Sequence, residues 1–127
     1  MNEKFHIQLI DFNLQAISFV KLKEYDESIK EIEPKYEVYI EKNEASTKTA
    51  FLHITIENEQ FNLQSIFKGV FEDKDNNNID NETLSTITLT LMLPLARPVI
   101  YQNLVQSNLK GVLLPTLDIQ RHIKSDD

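Results

Sequence analysis

Cysteine is absent from this sequence, and glycine nearly so: Gly69 and Gly111 are its only two. Without thiols the chain can form neither disulfides nor thiolate metal sites. Two isolated glycines cannot build a phosphate-cradling loop. Positive charge is scarce as well. Lys and Arg number 13 against 20 Asp and Glu, a formal net charge of −7, whereas a nucleic-acid partner requires clustered cations to displace counterions from phosphate. No basic amphipathic stretch points to a membrane surface. The first residues hold no long apolar run of the secretory type. The longest uncharged window, residues 83–96, is too short and too rich in threonine to span a bilayer. These exclusions predict a soluble, cytoplasmic protein. A chain of 127 residues predicts a single domain with one core.

What is present is an apolar C-terminal half. Residues 84–117 carry only two charges, Arg97 and Lys110, in a chain that is 26% charged. A domain this small cannot hide so much uncharged surface in one core, so part of it is expected to face another polypeptide.

The N-terminal half reads as antiparallel strands. Phe5, Ile7 and Leu9 alternate with polar residues, and an apolar run follows at 12–22. Residues 26–34 are acidic and read as a solvated connection. Tyr36, Val38 and Ile40 alternate with Glu37 and Glu41, and Ala50, Leu52, Ile54 and Ile56 share one face of the next strand. Asn58-Glu59-Gln60 reads as a turn into a fourth strand bearing Phe61, Leu63, Phe67 and Phe71, which Gly69 interrupts at a bulge or a close backbone approach. Four strands joined by short turns make an antiparallel sheet (residues 1–71) with one face to cover. A polar loop follows at 72–80, and Asn81 is placed to cap a helix. Over 84–93 the signals conflict. Thr86-Ile87-Thr88-Leu89-Thr90-Leu91 alternates like a strand, whereas Ile100, Leu104 and Val105 are spaced as in a helix, and Pro94 and Pro98 require a kink or a break. Lys110-Gly111 stops the helical region (81–109), and 110–127 form a short C-terminal segment with a charged end.

No constellation asks to be an active site, and the chain reads as a non-enzyme without metal or cofactor. Asp73-Lys74-Asp75 resembles the start of a calcium loop. The sixth, eighth and twelfth positions, however, are Asn78, Asp80 and Leu84 where glycine, an apolar residue and a bidentate glutamate are needed. His6, His53 and His122 share no ligand spacing. The acidic run 24–33 reads as a solvated surface.

Residues Leu91-Met92-Leu93-Pro94-Leu95-Ala96-Arg97-Pro98-Val99-Ile100 and Leu113-Leu114-Pro115-Thr116-Leu117 resemble two segments of the SecB family of bacterial export chaperones. These are its apolar-Phe-Pro-Tyr-Ala-Arg helix segment and the Leu-Ala-Pro-Val-Asn stretch that follows. Gln8, Ile17-Ser18-Phe19 and residues 67–71 are compatible with that family's strands. The resemblance implies an α+β fold: a four-stranded antiparallel sheet, then a long helix that includes 84–93, then the C-terminal segment. It also implies homo-oligomerisation as a dimer or dimer of dimers, and ATP-independent holding of non-native polypeptide in apolar grooves. The groove candidates are Phe12, Leu14, Phe19, Phe51, Leu113, Leu114 and Leu117. Leu93, Pro94, Arg97, Ile100 and Leu104 are assigned to structure or assembly, Arg97 as a lone helix charge that needs a partner.

The departures bear on the setting. At the family's acidic docking positions for the secretion ATPase stand Ala16, Val20 and Gln64. The zinc-binding tail is absent, and the second helix is short or missing after Asp118. Some SecB-like proteins guard a labile antitoxin in toxin–antitoxin systems, so the implied partners are unfolded clients or an antitoxin, and export and antitoxin protection both stay open. The competing readings are a non-catalytic scaffold whose helix only assembles copies of the chain, and a small-molecule domain, which requires convergent polar groups.

Overall fold

A computed structural model describes residues 6–22, 33–75 and 78–106. Within them run β1 (Ile7–Lys21), β2 (Lys35–Asn43), β3 (Thr47–Glu57), β4 (Phe61–Asp73) and α1 (Asn81–Gln106). The strands form one antiparallel sheet in the order β1-β4-β3-β2. The expected hairpins β2–β3 and β3–β4 are present. By contrast β1 and β2 lie on opposite edges, so their connection is a crossover and not a short turn.

Period-two patterning places the core. Leu52 stands opposite Val38 on one side and Phe67 on the other, and Ile54 likewise opposite Tyr36 and Ser65. Leu52, Ile54, Ile56, Phe61, Leu63, Phe67 and Phe71 are fully buried on this inner face. Asn58 makes the β3–β4 turn: its side-chain oxygen accepts from the amides of Gln60 (2.8 Å) and Phe61 (2.9 Å).

In β1 the pairing with β4 slips twice, between Leu9 and Asp11 and between Leu14 and Ala16. Each bulge inserts one residue and reverses which parity faces inward. The inner face of β1 therefore reads Ile7, Leu9, then Phe12, Leu14, then Ile17, Phe19. Gly69 itself is not bulged but a close approach: a Cβ there would lie 2.6 Å from the Met92 Sδ and 3.2 Å from Leu9 Cδ1. With Ala50 as its pairing partner, it makes the shallow place where the helix settles on the sheet.

The conflict over 84–93 resolves as helix. Leu84, Leu89, Met92, Leu93, Ala96, Ile100 and Leu104 are buried. The threonines that favour a strand bond back within the helix, Thr88 Oγ1 to Leu84 O (2.8 Å) and Thr90 Oγ1 to Thr86 O (2.8 Å). No break falls at Pro94 or Pro98. Each removes one helical hydrogen bond, freeing the carbonyls of Thr90 and Pro94. All three residues face solvent, where water satisfies those carbonyls. The cap lies one residue earlier than the sequence suggests. Asp80 Oδ1 accepts from the Thr83 amide (3.1 Å) and Asp80 O from that of Leu84 (3.0 Å). Asn81 is instead the first helical residue, and its side-chain oxygen accepts from Asn43 Nδ2 at 2.8 Å.

Candidate functional site

Helix α1 lies across β2 and β3 and reaches β4 only partly. The inner face of β1 is consequently under-covered. Phe12, Ile17 and Phe19 are half-buried there, and Leu14 is 40% exposed although it points to the helix side of the sheet. Two of these side chains are held by stacking on β4. Phe12 lies parallel to Phe67 with ring centroids 5.4 Å apart, and Phe19 lies over Phe61 at the same distance. Between β1 and the C-terminal part of α1 opens a cleft of about 390 Å³, lined by Leu14, Ile17, Pro98, Val99, Gln102 and Asn103. That volume is at the lower end of the range for small-ligand pockets, roughly 300–1,000 Å³. No charged side chain lines it. Its chemistry is apolar contact with two side-chain amides, Gln102 exposed and Asn103 half-buried, suited to uncharged side chains and not to an anion or a metal ion.

Among the expected groove residues, Phe12, Leu14 and Phe19 share this inner face of β1. Phe51 does not join them: it lies on the opposite face of the sheet, beneath Lys68, whose Nζ is 5.9 Å from its ring centroid. Leu113, Leu114 and Leu117 lie outside the described residues. Sequence reading missed Ile17 on β1 and four helix residues, Pro98, Val99, Gln102 and Asn103. Their helical spacing, 98 with 102 and 99 with 103, puts them on one stripe and was the available signal.

Leu93, Ile100 and Leu104 are buried against the chain's own sheet, whereas Pro94 is exposed. Arg97 is half-buried beside Tyr36. Burial raises the Tyr36 pKa above its ordinary value, and the Arg97 guanidinium partly offsets this by favouring the phenolate. Leu95 and Tyr101, 46% and 37% exposed, leave α1 apolar on its outer side too. Its length and composition are those of a membrane-spanning helix. Its buried side chains, however, pack on the sheet as those of a core helix do.

The remaining polar candidates stand elsewhere. His6 bonds Asp75 through Nδ1, and His53 lies against Tyr39 on the outer face, ring centroids 4.5 Å apart. Asp73, first of the calcium-like triplet, is fully buried with Lys48, Nζ to Oδ2 3.8 Å. Lys48 Nζ also donates to Glu44 O (2.5 Å) and Ala45 O (3.3 Å). Ala16, Val20 and Gln64 fall on the outer face, where Ala16 pairs with Ile66 and Val20 with Asn62.

A four-stranded antiparallel sheet backed on one side by a single long helix has a counterpart among solved structures. The SecB-like chaperone Rv1957 of Mycobacterium tuberculosis, solved in complex with a ChAD peptide from the Rv1956 HigA1 antitoxin, superposes with a TM-score of 0.73 at 14% identity. The match covers 87% of this chain and 90% of that one. This chain has the SecB-like fold. A protein of unknown function from Streptococcus agalactiae shares it, with a TM-score of 0.60 at 8% identity over 90% of this chain and all of that one. No protein-family model and no curated protein matches the sequence. The SecB-like fold is therefore visible in the backbone arrangement and not in overall sequence similarity.

Proposed function

We propose that this protein is a soluble, cytoplasmic, ATP-independent chaperone that holds non-native polypeptide in the cleft between β1 and α1. The carrying observation is the incompletely covered apolar strip Phe12, Leu14, Ile17 and Phe19 facing an uncharged helix stripe. It lies in a fold shared with a chaperone solved with an antitoxin peptide. An unfolded chain exposes the apolar side chains that such a strip takes up, and a folded one hides them. Each leucine-sized side chain buried contributes about 1.5–3 kcal/mol, against an association cost of several kcal/mol. One cleft therefore holds weakly, and firm holding comes from several clefts acting on one client. This argument supports a homo-oligomer, for which Leu95 and Tyr101 on the outer side of α1 are the contact candidates. Net charge −7 keeps a loaded complex dispersed.

Two settings fit this chemistry, protein export and antitoxin protection. The uncharged Ala16, Val20 and Gln64 weigh against docking a secretion ATPase, so antitoxin protection comes first. The test is binding to an unfolded polypeptide, with the same polypeptide folded as control and no nucleotide present. Binding to the unfolded form alone, lost at least tenfold in Leu14→Asp, is the expected result. No binding to either form overturns the chaperone reading in favour of a scaffold.

A further inference from the structure

The placement of α1 on the sheet is decided where the helix begins. The chain leaves the sheet at the end of β4, which lies between β1 and β3. A helix resting on the strand it follows would cover both of those neighbours. The start of α1 is tied instead to β2, on the far side of β3. Asn43, the last residue of β2, donates from Nδ2 to Ile79 O at 2.7 Å and to Asn81 Oδ1 at 2.8 Å. Ile79 is itself buried, so the tie reaches the backbone just before the helix. The same β2–β3 turn grips the strand the chain has left: Ser46 O accepts from the Asp73 amide at 2.9 Å. Neighbouring strands are about 4.8 Å apart, which makes the offset from β4 to β2 on the order of 10 Å. That offset puts α1 over β2 and β3 and leaves β1 under-covered. Farther along, Arg97 beside Tyr36 lies on the β2 side as well.

We propose that Asn43 is a positioning residue for the cleft: by tying the start of α1 to β2 it keeps the helix from spreading over the apolar strip of β1. The effect on client rests on the reading of the cleft as the client site; the effect on the helix does not. The opposing pull is hydrophobic. Leu14 and its neighbours on β1 gain burial from a helix that moves towards them, and a cleft closed in this way holds no client. A side chain outside the cleft thus sets the fraction of molecules competent to bind, and apparent affinity scales with that fraction.

The absence of native cysteine allows the cleft to be watched directly. Leu14 is 40% exposed, so the thiol of Leu14→Cys reports its cover by the rate of alkylation with a water-soluble maleimide. Adding Asn43→Ala is expected to slow that alkylation by about fivefold or more. Asn43→Lys with Asn81→Asp, which puts an ion pair in place of the hydrogen bond, should restore the rate. A merely destabilised fold would be alkylated faster and not slower. An unchanged or faster rate in Asn43→Ala therefore overturns the anchoring. In the chain with native Leu14, Asn43→Ala should weaken binding of a reduced and alkylated, unfolded polypeptide by about fivefold or more. The paired substitution should recover it. Slowed alkylation with undiminished binding leaves Asn43 as the anchor and refutes the client role of the cleft. Weakened binding without slowed alkylation refutes the anchoring.

Discussion

Lys48 and Asp73 show what single residues contribute here. Both are fully buried, and the ammonium also satisfies the carbonyls of Glu44 and Ala45 in the β2–β3 turn. A buried pair adds little net stability over an apolar substitute, but removing one member takes from the other a counter-charge it has in the interior. Lys48→Met is therefore expected to lower unfolding stability by about 3–5 kcal/mol in urea titrations, and adding an apolar replacement of Asp73 should recover part of the loss. Gly69 acts through volume. An alanine Cβ meets the flexible end of Met92, which can swing aside, whereas a valine also crowds Leu9. Gly69→Val should cost about 1–3 kcal/mol and Gly69→Ala clearly less, measured the same way. Neither role is plain in sequence: Lys48 shares the core-facing parity of Ala50 and Leu52 but carries a charge that reads as a solvated strand end, and Gly69 announces an irregularity without saying which.

At the scale of elements, legibility followed local periodicity. In β3 and β4 one parity faces the core from end to end, and in β2 it does so up to a slip between Ile40 and Lys42, so Tyr36, Leu52 and Phe67 could be placed from sequence. β1 could not be read this way, because its two bulges reverse the parity at Ile10 and again at Gln15. Over residues 84–93 the β-branched run voted for a strand, and the resemblance at Pro94, Ala96 and Arg97 decided for a helix. The hydroxyl back-bonds of Thr88 and Thr90, with Leu84, Met92 and Leu93 buried on the sheet, show how tertiary context overrode propensity. The cleft was half legible. Of its lining Leu14 was named, but Ile17 was not, and the helix stripe facing them depends on a strand order no local pattern encodes. At the start of α1, hydrogen bonds from Thr83, hydroxyl first and then amide, hold the Asp80 carboxyl below its ordinary pKa. A depressed carboxylate pKa contributes stability that is present above the unfolded value, near pH 4, and is lost as pH falls through the lower folded one. Asp80→Asn should keep the cap while flattening the acid limb of stability below about pH 4, followed by circular dichroism across an acid titration. An unchanged acid limb would show that the Asp80 charge adds no stability to the cap.

For the whole molecule, two apolar surfaces are separable. The cleft faces β1, while Leu95 and Tyr101 look outward from the far side of α1. Leu95→Asp with Tyr101→Asp is expected to lower the mass measured by light scattering and leave the secondary structure intact. Leu14→Asp is expected to keep the mass and lose client. The reverse pattern would exchange the roles of the two surfaces.

The Lys48–Asp73 pair also sets an order of events in time. The turn of the β2–β3 hairpin is a local structure, yet its buried cation is paired with a carboxylate from the final residue of β4. Until that residue is synthesised the hairpin is provisional, and the helix that roofs the sheet comes later still. During that interval Leu63, Phe67 and Phe71 stand bare in a growing chain. The newborn protein thus passes through a state with the very hazard that, on our reading, its mature form relieves in others, and its earliest acquaintance with exposed apolar surface is its own.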